Sequence, residues 1–143
     1  MGIRVERTIP ATRQDVWAEL ANLADHPRWM KDAVDLEFIG SSQSGVGTRM
    51  RVPTRVGPFR TTDILEITSW EEGASMGVVH EGLVSGTGEF RLEGDNPTRI
   101  VWEETLSFPW YLGGPVTAFF ARPVLRWIWA GNLERFANRV SGL

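Results

Sequence analysis

The chain has 143 residues, the length of one domain, and its folding can bury about two-thirds of the surface that the unfolded chain exposes. A composition of 42% hydrophobic and 23% charged residues is typical of a globular protein and excludes a disordered one. The absence of cysteine excludes disulfides, thiolate nucleophiles and cysteine-ligated metal centres. A net charge of −3 argues against a nucleic-acid partner. We expect one domain over residues 1–143.

The sequence contains neither the pattern of a secretory signal nor that of a membrane-spanning segment. The opening segment contains Arg4, Glu6 and Arg7, where a signal peptide has an unbroken apolar run. The longest uncharged stretch, residues 105–121, is interrupted by prolines and glycines and is shorter than the roughly 20 residues that a spanning helix needs. We therefore expect a cytoplasmic protein without stable membrane insertion.

The N-terminal part of the chain predicts a strand followed by two short helices. Apolar residues alternate with polar ones up to Pro10, as in a half-buried strand. Thr12 then supplies a helix N-cap, with Asp15 in the capping-box position and apolar residues at helical spacing behind it. Residues 22–29 predict a break and a second short helix, with Pro27 in its first turn.

The middle of the chain predicts six strands. Short apolar runs alternate there with turn-forming segments rich in glycine, proline, asparagine and charged residues. The predicted strands are Leu36–Ile39, Thr48–Val56, Phe59–Ser69, Ala74–His80, Ser85–Glu93 and Arg99–Ser107. Connections this short, without intervening helices, favour an antiparallel meander.

Beyond Pro115 the apolar residues take helical spacing and form two stripes. One stripe consists of Phe120, Val124, Trp127, Ile128 and Gly131, and the other of Leu125, Trp129, Leu133, Phe136 and Val140. Pro123 is expected to kink the helix or split it. Because broad apolar faces must be covered, we expect the concave side of a curved sheet to cover this helix. The prediction is an α+β fold, with seven curved antiparallel strands around a long C-terminal helix and two short helices between strands 1 and 2.

Segments spread over nearly the whole chain carry a family resemblance. They are Pro10–Trp17, Asp25–Trp29, Ile64–Trp70, Gly88–Leu92, Pro97–Trp102 and Asn132–Phe136. In this order and spacing they resemble the START-like helix-grip superfamily, and within it the polyketide cyclase/dehydrase and lipid-transport group. The resemblance implies a cavity under the helix that holds a hydrophobic small molecule. Some members are enzymes and many are carriers, so function must be argued from the cavity.

The last strands suggest a register for the cavity wall. Placing Leu92 opposite Ile100 sets Phe90 beside Trp102, Gly88 beside Glu104 and Gly86 beside Leu106 on one apolar face. The preceding strand adds Met76, Val78 and His80 to that face. Two glycines in a strand interior leave space where side chains would be, which we interpret as room for a ligand.

His80 and Glu104 are the candidate catalytic residues, because this register turns both inward. A histidine whose pKa is near 6.5 suits cyclisation, dehydration or aldol chemistry on a keto-substrate, with the glutamate as a second acid/base or an orienting group. The alternative is that His80 lies near a strand end, hydrogen-bonded or exposed, and that Glu104 pairs with an arginine. Without catalysis, both residues can still line the cavity.

Aromatic residues crowd the loop before the helix and its first turns. The candidate ligand-binding residues are Met76, Val78, Phe90, Trp102, Tyr111, Phe120 and Trp127. The aromatic cluster can pack on the sheet, or it can form the entrance of a pocket for a hydrophobic molecule, with Gly113 and Gly114 as a hinge. A third alternative is transient membrane contact by residues 105–121 during lipid exchange, although this stretch has no basic residue.

Several polar and aromatic residues are given structural roles. Arg49, Arg51 and Arg55 are expected on a solvated outer face paired with acids; the alternative is a bulge at Pro53 that turns Arg55 towards a ligand anion. His26 precedes a proline and is expected at the surface or in a cap. The tryptophans Trp17, Trp29 and Trp70 are expected as core or turn anchors.

The most favoured function is binding of a hydrophobic or amphipathic small molecule, such as a lipid or polyketide, without chemistry. The alternatives are a cofactor-independent polyketide cyclase, aromatase or dehydrase, and an interaction module whose vestigial cavity is filled. Two distant histidines without cysteine predict no metal site, and the sequence offers no cofactor motif. A monomer or a homodimer is expected.

Overall fold

The computed structural model describes residues 2–142. Seven strands, two α-helices and two short 3₁₀ helices follow one another along these residues. The N-terminal elements are β1 (Gly2–Ile9), α1 (Arg13–Ala21) and a 3₁₀ helix (Leu23–Arg28). The strands β2 (Glu37–Ile39), β3 (Arg49–Val56), β4 (Phe59–Glu71), β5 (Ser75–Glu81), β6 (Ser85–Gly94) and β7 (Thr98–Ser107) follow. A second 3₁₀ helix (Trp110–Leu112) and α2 (Gly114–Ser141) end the described chain.

The strands form one antiparallel sheet in the order β1-β7-β6-β5-β4-β3-β2. The order follows from short hairpins between consecutive strands, with β1 closing the sheet against β7. This confirms the predicted α+β helix-grip fold, with a curved seven-stranded sheet, a long C-terminal helix and two short helices after β1. The second short helix is a 3₁₀ helix, and Pro27 lies inside it rather than in its first turn.

Local sequence explains where the first α-helix begins. The Thr12 hydroxyl accepts a hydrogen bond from the Asp15 backbone N–H at 3.1 Å, as the capping pattern predicts. The helix then turns Val16, Trp17 and Leu20 into the core. These apolar side chains are what hold a helix this short on the sheet.

The C-terminal half of α2 is packed against the sheet. Its stripe of Trp129, Leu133 and Phe136 is buried against β1 and β7. Removing a fully buried leucine or phenylalanine side chain costs about 2–5 kcal/mol, so Leu133 and Phe136 are major anchors of the helix.

The N-terminal half of α2 is largely uncovered. The stripe that contains Phe120, Val124 and Trp127 is exposed, so the expectation that the sheet covers both stripes is wrong. The helix runs through Pro123 without being split. Because only the second half of α2 lies on the core, its first half is free to border an opening.

Candidate functional site

A cavity of about 690 Å³ lies between the concave face of the sheet and α2. Its wall is mostly apolar, with Met50, Val52, Leu65 and Met76 from the strands and Leu125 and Trp129 from the helix among the lining side chains. Ligand pockets have volumes of about 300–1,000 Å³, so this space is large enough for a small molecule.

Five of the seven predicted ligand-binding residues line this cavity, and so do both predicted catalytic residues. The five are Met76, Val78, Phe90, Trp102 and Phe120. Tyr111 and Trp127 lie outside it, which corrects their expected position. Trp127 is two helical positions from Trp129, so when Trp129 faces inward Trp127 faces solvent. Tyr111 is exposed in the second 3₁₀ helix, where its ring contacts Trp110 edge to face.

The register predicted for the last strands is confirmed. Phe90 lies opposite Trp102 and Gly88 opposite Glu104, while His80 lies opposite Gly86. As a result the His80 Nε2 atom is 3.0 Å from Glu104 Oε1. The Trp102 indole N–H donates to the same oxygen at 3.2 Å. The alternative is right in part: His80 lies next to the last residue of β5 and is hydrogen-bonded. Its other part is wrong, because within residues 2–142 the hydrogen-bond partners of the Glu104 carboxylate are a histidine and a tryptophan and not an arginine.

The two glycines in the interior of β6, Gly86 and Gly88, serve a different purpose from the one predicted. A Cβ atom at Gly88 would lie 2.7 Å from Oε1 of Glu104, and one at Gly86 would lie 1.9 Å from the backbone oxygen of Thr105. The space beside Gly88 is therefore occupied by the Glu104 carboxylate, and Gly86 permits close approach of β7. Neither glycine leaves room for a ligand; Gly88 lets Glu104 reach across β6 to His80.

Two half-buried aspartates complete the polar wall of the cavity and were missed by sequence reasoning. Asp32 accepts hydrogen bonds from Asn132 Nδ2 at 2.8 Å and from the Trp129 indole at 3.1 Å. Asp63 accepts one from the Thr54 hydroxyl at 3.2 Å. Asp63 alternates with Leu65 and Ile67 on the cavity face of β4, a pattern that could have revealed it. Asp32 lies outside helices and strands, so no periodic pattern in the sequence could predict that its side chain faces the cavity.

The acidic groups set the protonation of this wall. Burial opposes protonation of His80, but the Glu104 carboxylate, with added attraction from Asp63 and Asp32, outweighs it and raises the pKa of His80. Burial raises the pKa of Asp32, against hydrogen bonds from Asn132 and Trp129 that lower it. Burial likewise raises the pKa of Asp63. The cavity thus favours a protonated imidazole held among carboxyl groups.

His26 is buried in the cavity wall, so of its two expected positions the surface is wrong and the cap is right: its side chain hydrogen-bonds to a carbonyl in the last turn of α1. Its Nε2 atom is 2.7 Å from the Leu20 carbonyl oxygen, and its ring centroid is 4.9 Å from that of Trp29. Burial lowers the pKa of His26 to about 4. A neutral imidazole whose N–H is held by a backbone carbonyl is a structural group, because it carries no acidic imidazolium proton at neutral pH.

The arginines of β3 lie on the outer face, as expected. Arg49 pairs with Glu66 at 3.4 Å and Arg51 with Glu37 at 3.6 Å. The pairing of β3 with β4 runs through Pro53 without a bulge, which leaves Arg55 exposed and rules out the alternative that a bulge turns it inward.

The three tryptophans Trp17, Trp29 and Trp70 anchor the structure as expected. Trp29 is fully buried in the core. Trp17 and Trp70 meet edge to face, with ring centroids 5.3 Å apart, and both indoles donate to the Glu72 carboxylate.

A sequence model of one family matches almost the entire chain. The family is described as "Polyketide cyclase / dehydrase and lipid transport", and the match covers residues 2–141. The chain belongs to this family. The family match confirms the resemblance found in the sequence. Because the family description includes both enzymes and lipid transport, the match does not distinguish a ligand carrier from an enzyme.

Solved structures similar to this family member cover nearly its full length. A protein of Thermus thermophilus, TTHA0849, superposes with a TM-score of 0.84 at 20% identity, over 99% of this chain and 98% of that one. A START superfamily protein from Mycobacterium smegmatis has a TM-score of 0.77 at 11% identity, covering 99% and 97% of the two chains. The Zhui aromatase/cyclase from Streptomyces sp. R1128 has a TM-score of 0.72 at 17% identity, covering 99% and 92%. At these identities the likeness shows the fold alone. A search of curated protein sequences gives no match.

The family member shows two further features within residues 2–142. No helix there is both long and apolar enough to cross a membrane. No group of three or more His, Asp or Glu side chains in this range is arranged to hold a metal ion.

Proposed function

We propose that the protein binds an amphipathic small molecule, with the apolar body of the ligand between the sheet and α2. The observation that carries this proposal is the cavity of about 690 Å³, with an apolar wall and a few polar groups that converge on it. Such a combination is typical of a small-molecule site. The volume argues against the interaction module with a filled cavity. A cytoplasmic location and a monomeric or homodimeric state remain part of the proposal.

The polar wall favours a ligand whose polar end donates hydrogen bonds. Asp32, Asp63 and Glu104 supply three carboxyl groups to the wall, whose basic lining residues are His80, His26 and Arg60. Burial keeps His26 neutral, and Arg60 is exposed to solvent, which screens its charge. A ligand carboxylate would add another negative charge in a medium of low dielectric constant, where like charges repel strongly. A hydroxyl, phenol or ammonium group would instead donate to the acceptors already present. We therefore propose a long-chain or polycyclic alcohol, phenol or amine as the ligand class.

Displacement of a fluorescent probe tests this ligand class. The neutral fluorophore N-phenyl-1-naphthylamine would be bound to the protein and displaced by dodecanol, dodecylamine or dodecanoate. We expect the alcohol and the amine to displace it at concentrations at least about tenfold lower than the carboxylate, a difference of about 1.4 kcal/mol. Equal displacement by dodecanoate would contradict the proposed class, and failure of the fluorophore to bind would contradict ligand binding.

Matched variants test whether the cavity wall causes the selectivity between the alcohol or amine and the carboxylate. Asp63→Asn removes a cavity charge, and we expect it to weaken discrimination against dodecanoate. Glu81→Gln makes the same change at an exposed position of β5 and is expected to leave the discrimination unchanged. Native mass spectrometry of the purified protein would also identify a co-purifying small molecule and its polar group.

An enzyme of the polyketide cyclase or dehydrase type is the second candidate function. The contact between His80 and Glu104 favours it, because a carboxylate that supports a protonated imidazole makes a proton donor facing the cavity. His80→Ala and Glu104→Gln would be assayed with keto-substrates for cyclised or dehydrated products. Loss of product with unchanged fluorophore binding would support catalysis, and unchanged turnover would remove both residues from the mechanism.

A further inference from the structure

The cavity reaches the surface along a rim of exposed apolar side chains. Six apolar residues both line the cavity and are exposed to solvent; this mouth rim consists of Phe59, Leu83, Leu112, Val116, Phe120 and Val124. Phe59, in the β3–β4 hairpin, is 74% exposed, and Phe120 of α2 is 70% exposed. Two elements distant in sequence therefore present aromatic rings to solvent at one opening.

The exposed apolar surface continues outside the cavity along α2. Trp110, Phe119 and Trp127 are 85%, 73% and 79% exposed, and none of them lines the cavity. At 3.6 residues per turn, Val116, Phe119, Phe120, Pro123 and Trp127 fall within an arc of about 100° on the helix. This arc forms a continuous apolar band on the exposed first half of α2. Isolated surface aromatics are ordinary, but a contiguous band beside a cavity mouth marks an interaction surface.

The charged residues near the turn of the β3–β4 hairpin and in the first half of α2 are all positive. Between Pro109 and Gly131 the charged residues are Arg122 and Arg126, and between Val52 and Thr62 they are Arg55 and Arg60. Arg55 and Arg60 lie directly opposite each other in the hairpin. Among the residues that the structure describes, none of the four arginines forms an ion pair with an acid. A chain with a net charge of −3 thus has four arginines without an acidic partner in residues 2–142 on the hairpin and α2, the two elements that carry Phe59 and Phe120.

We propose that this surface docks on an anionic lipid bilayer, with the mouth of the cavity facing the lipid. The indoles of Trp110 and Trp127 would lie among the headgroups, as amphipathic aromatic side chains do at bilayer interfaces, and the apolar ring of Phe119 would lie at the acyl boundary. The arginines would contact the anionic headgroups, and each such contact strengthens attachment. The hairpin and α2 thereby supply the basic residues that residues 105–121 lack. The inference rests on the proposed function, since docking matters only if the cavity binds a ligand; docking would then give that ligand a path between the bilayer and the cavity.

The charge pattern favours a bilayer over a second copy of the chain. In a two-fold symmetric dimer the same patch meets itself, so the four arginines of one protomer would face those of its partner. Like charges brought together in this way repel, and the described residues of the patch hold no acid to compensate. An anionic surface has the complementary charge.

Co-sedimentation with lipid vesicles tests the proposal on the full chain. We expect binding to phosphatidylcholine vesicles that contain about 30 mol% phosphatidylserine, weak binding to pure phosphatidylcholine, and release at about 0.5 M salt. Trp127→Ser combined with Phe119→Ser, and Arg122→Glu combined with Arg126→Glu, are each expected to lower the partition coefficient at least about tenfold. Arg7→Glu combined with Arg28→Glu changes the net charge equally at exposed positions away from the mouth and should leave binding within about twofold.

Three outcomes would overturn the docking proposal. They are no binding to either vesicle, equal loss of binding in the control variant, and equal binding to vesicles with and without phosphatidylserine. If binding is absent, a dimer in analytical ultracentrifugation that the Trp127 and Phe119 changes abolish would assign the surface to a second copy of the chain. Fluorophore displacement is measured without vesicles, so ligand binding can succeed while docking fails. Circular dichroism of each variant identifies any loss of binding that comes from unfolding.

Discussion

The Nε2 atom of His80 lies 3.0 Å from Oε1 of Glu104, although strand β6 separates the strands that carry the two residues. The contact spans this strand because Gly88, opposite Glu104, has no side chain. A Cβ atom there would lie 2.7 Å from the carboxylate oxygen. The polar pair of the cavity therefore depends on a glycine between its two members.

Gly88→Ala is expected to separate Glu104 from His80. The new methyl group must push the carboxylate aside, so the pKa of His80 should fall, because the Glu104 carboxylate is the largest influence that raises it. Crowding at a packed site should also lower the free energy of unfolding by about 1–3 kcal/mol. An NMR pH titration of the His80 ring and urea unfolding measure the two effects.

Gly2→Ala is the matched control for this substitution. A Cβ atom at Gly2, also in a strand, has no neighbour within 4 Å, so the pKa of His80 should not change. An unchanged pKa of His80 in Gly88→Ala would contradict the role assigned to the glycine.

The raised pKa of His80 predicts a specific dependence of stability on pH. The folded state binds the imidazole proton more tightly than the unfolded chain, whose pKa is near 6.5. This contribution is fully present below about pH 6.5 and is lost as the pH rises through the folded-state pKa. We expect the wild-type protein to exceed His80→Gln in free energy of unfolding by more at about pH 5.5 than at about pH 9. Equal differences at the two pH values, measured by urea unfolding, would show that the imidazolium is not stabilised.

Asp32→Asn is expected to destabilise the attachment of α2. The carboxylate accepts from both the Trp129 indole and the Asn132 amide, and an asparagine side chain has one acceptor oxygen for two donors. Leaving one buried donor unpaired costs about 1–3 kcal/mol in free energy of unfolding. Glu134→Gln, an equal charge change at an exposed position of α2, should cost less than about 0.5 kcal/mol in the same urea titration. Similar losses in both variants would argue against the anchoring role.

Regular alternation in the sequence was sufficient to predict the sheet and much of its cavity wall. Once Leu92 is set opposite Ile100, the period of two carries Phe90, Trp102 and Glu104 to the cavity face, where the structure has them. The period of two predicts which face a side chain lies on, but it does not predict whether the space beside a glycine is empty. At Gly88 the decisive fact is the rotamer of Glu104, which depends on three strands at once.

Helical spacing, in contrast, did not settle which parts of α2 are covered. The stripe that contains Phe120 and the stripe that contains Trp129 are both apolar, yet the sheet covers only the stripe of Trp129. The cavity decides this, since the first half of α2 borders its opening while the second half packs on β1 and β7. Asp32 was missed because it lies outside the regular elements, and His26 was misplaced because an X–Pro turn is usually exposed.

The buried position of His26 predicts a loss of stability in acid. Its folded-state pKa is lowered to about 4, so between about pH 6.5 and pH 4 the unfolded chain binds a proton that the folded state does not. The free energy of unfolding should therefore fall by on the order of 3 kcal/mol over this range from His26 alone. His26→Gln retains an N–H for the Leu20 carbonyl but cannot titrate, so its stability should fall less between about pH 7 and pH 4. Urea unfolding of the two proteins at several pH values gives the difference, and titration of Asp32, Asp63 and His80 cancels in the subtraction. Parallel pH profiles would mean that His26 titrates as an exposed histidine does.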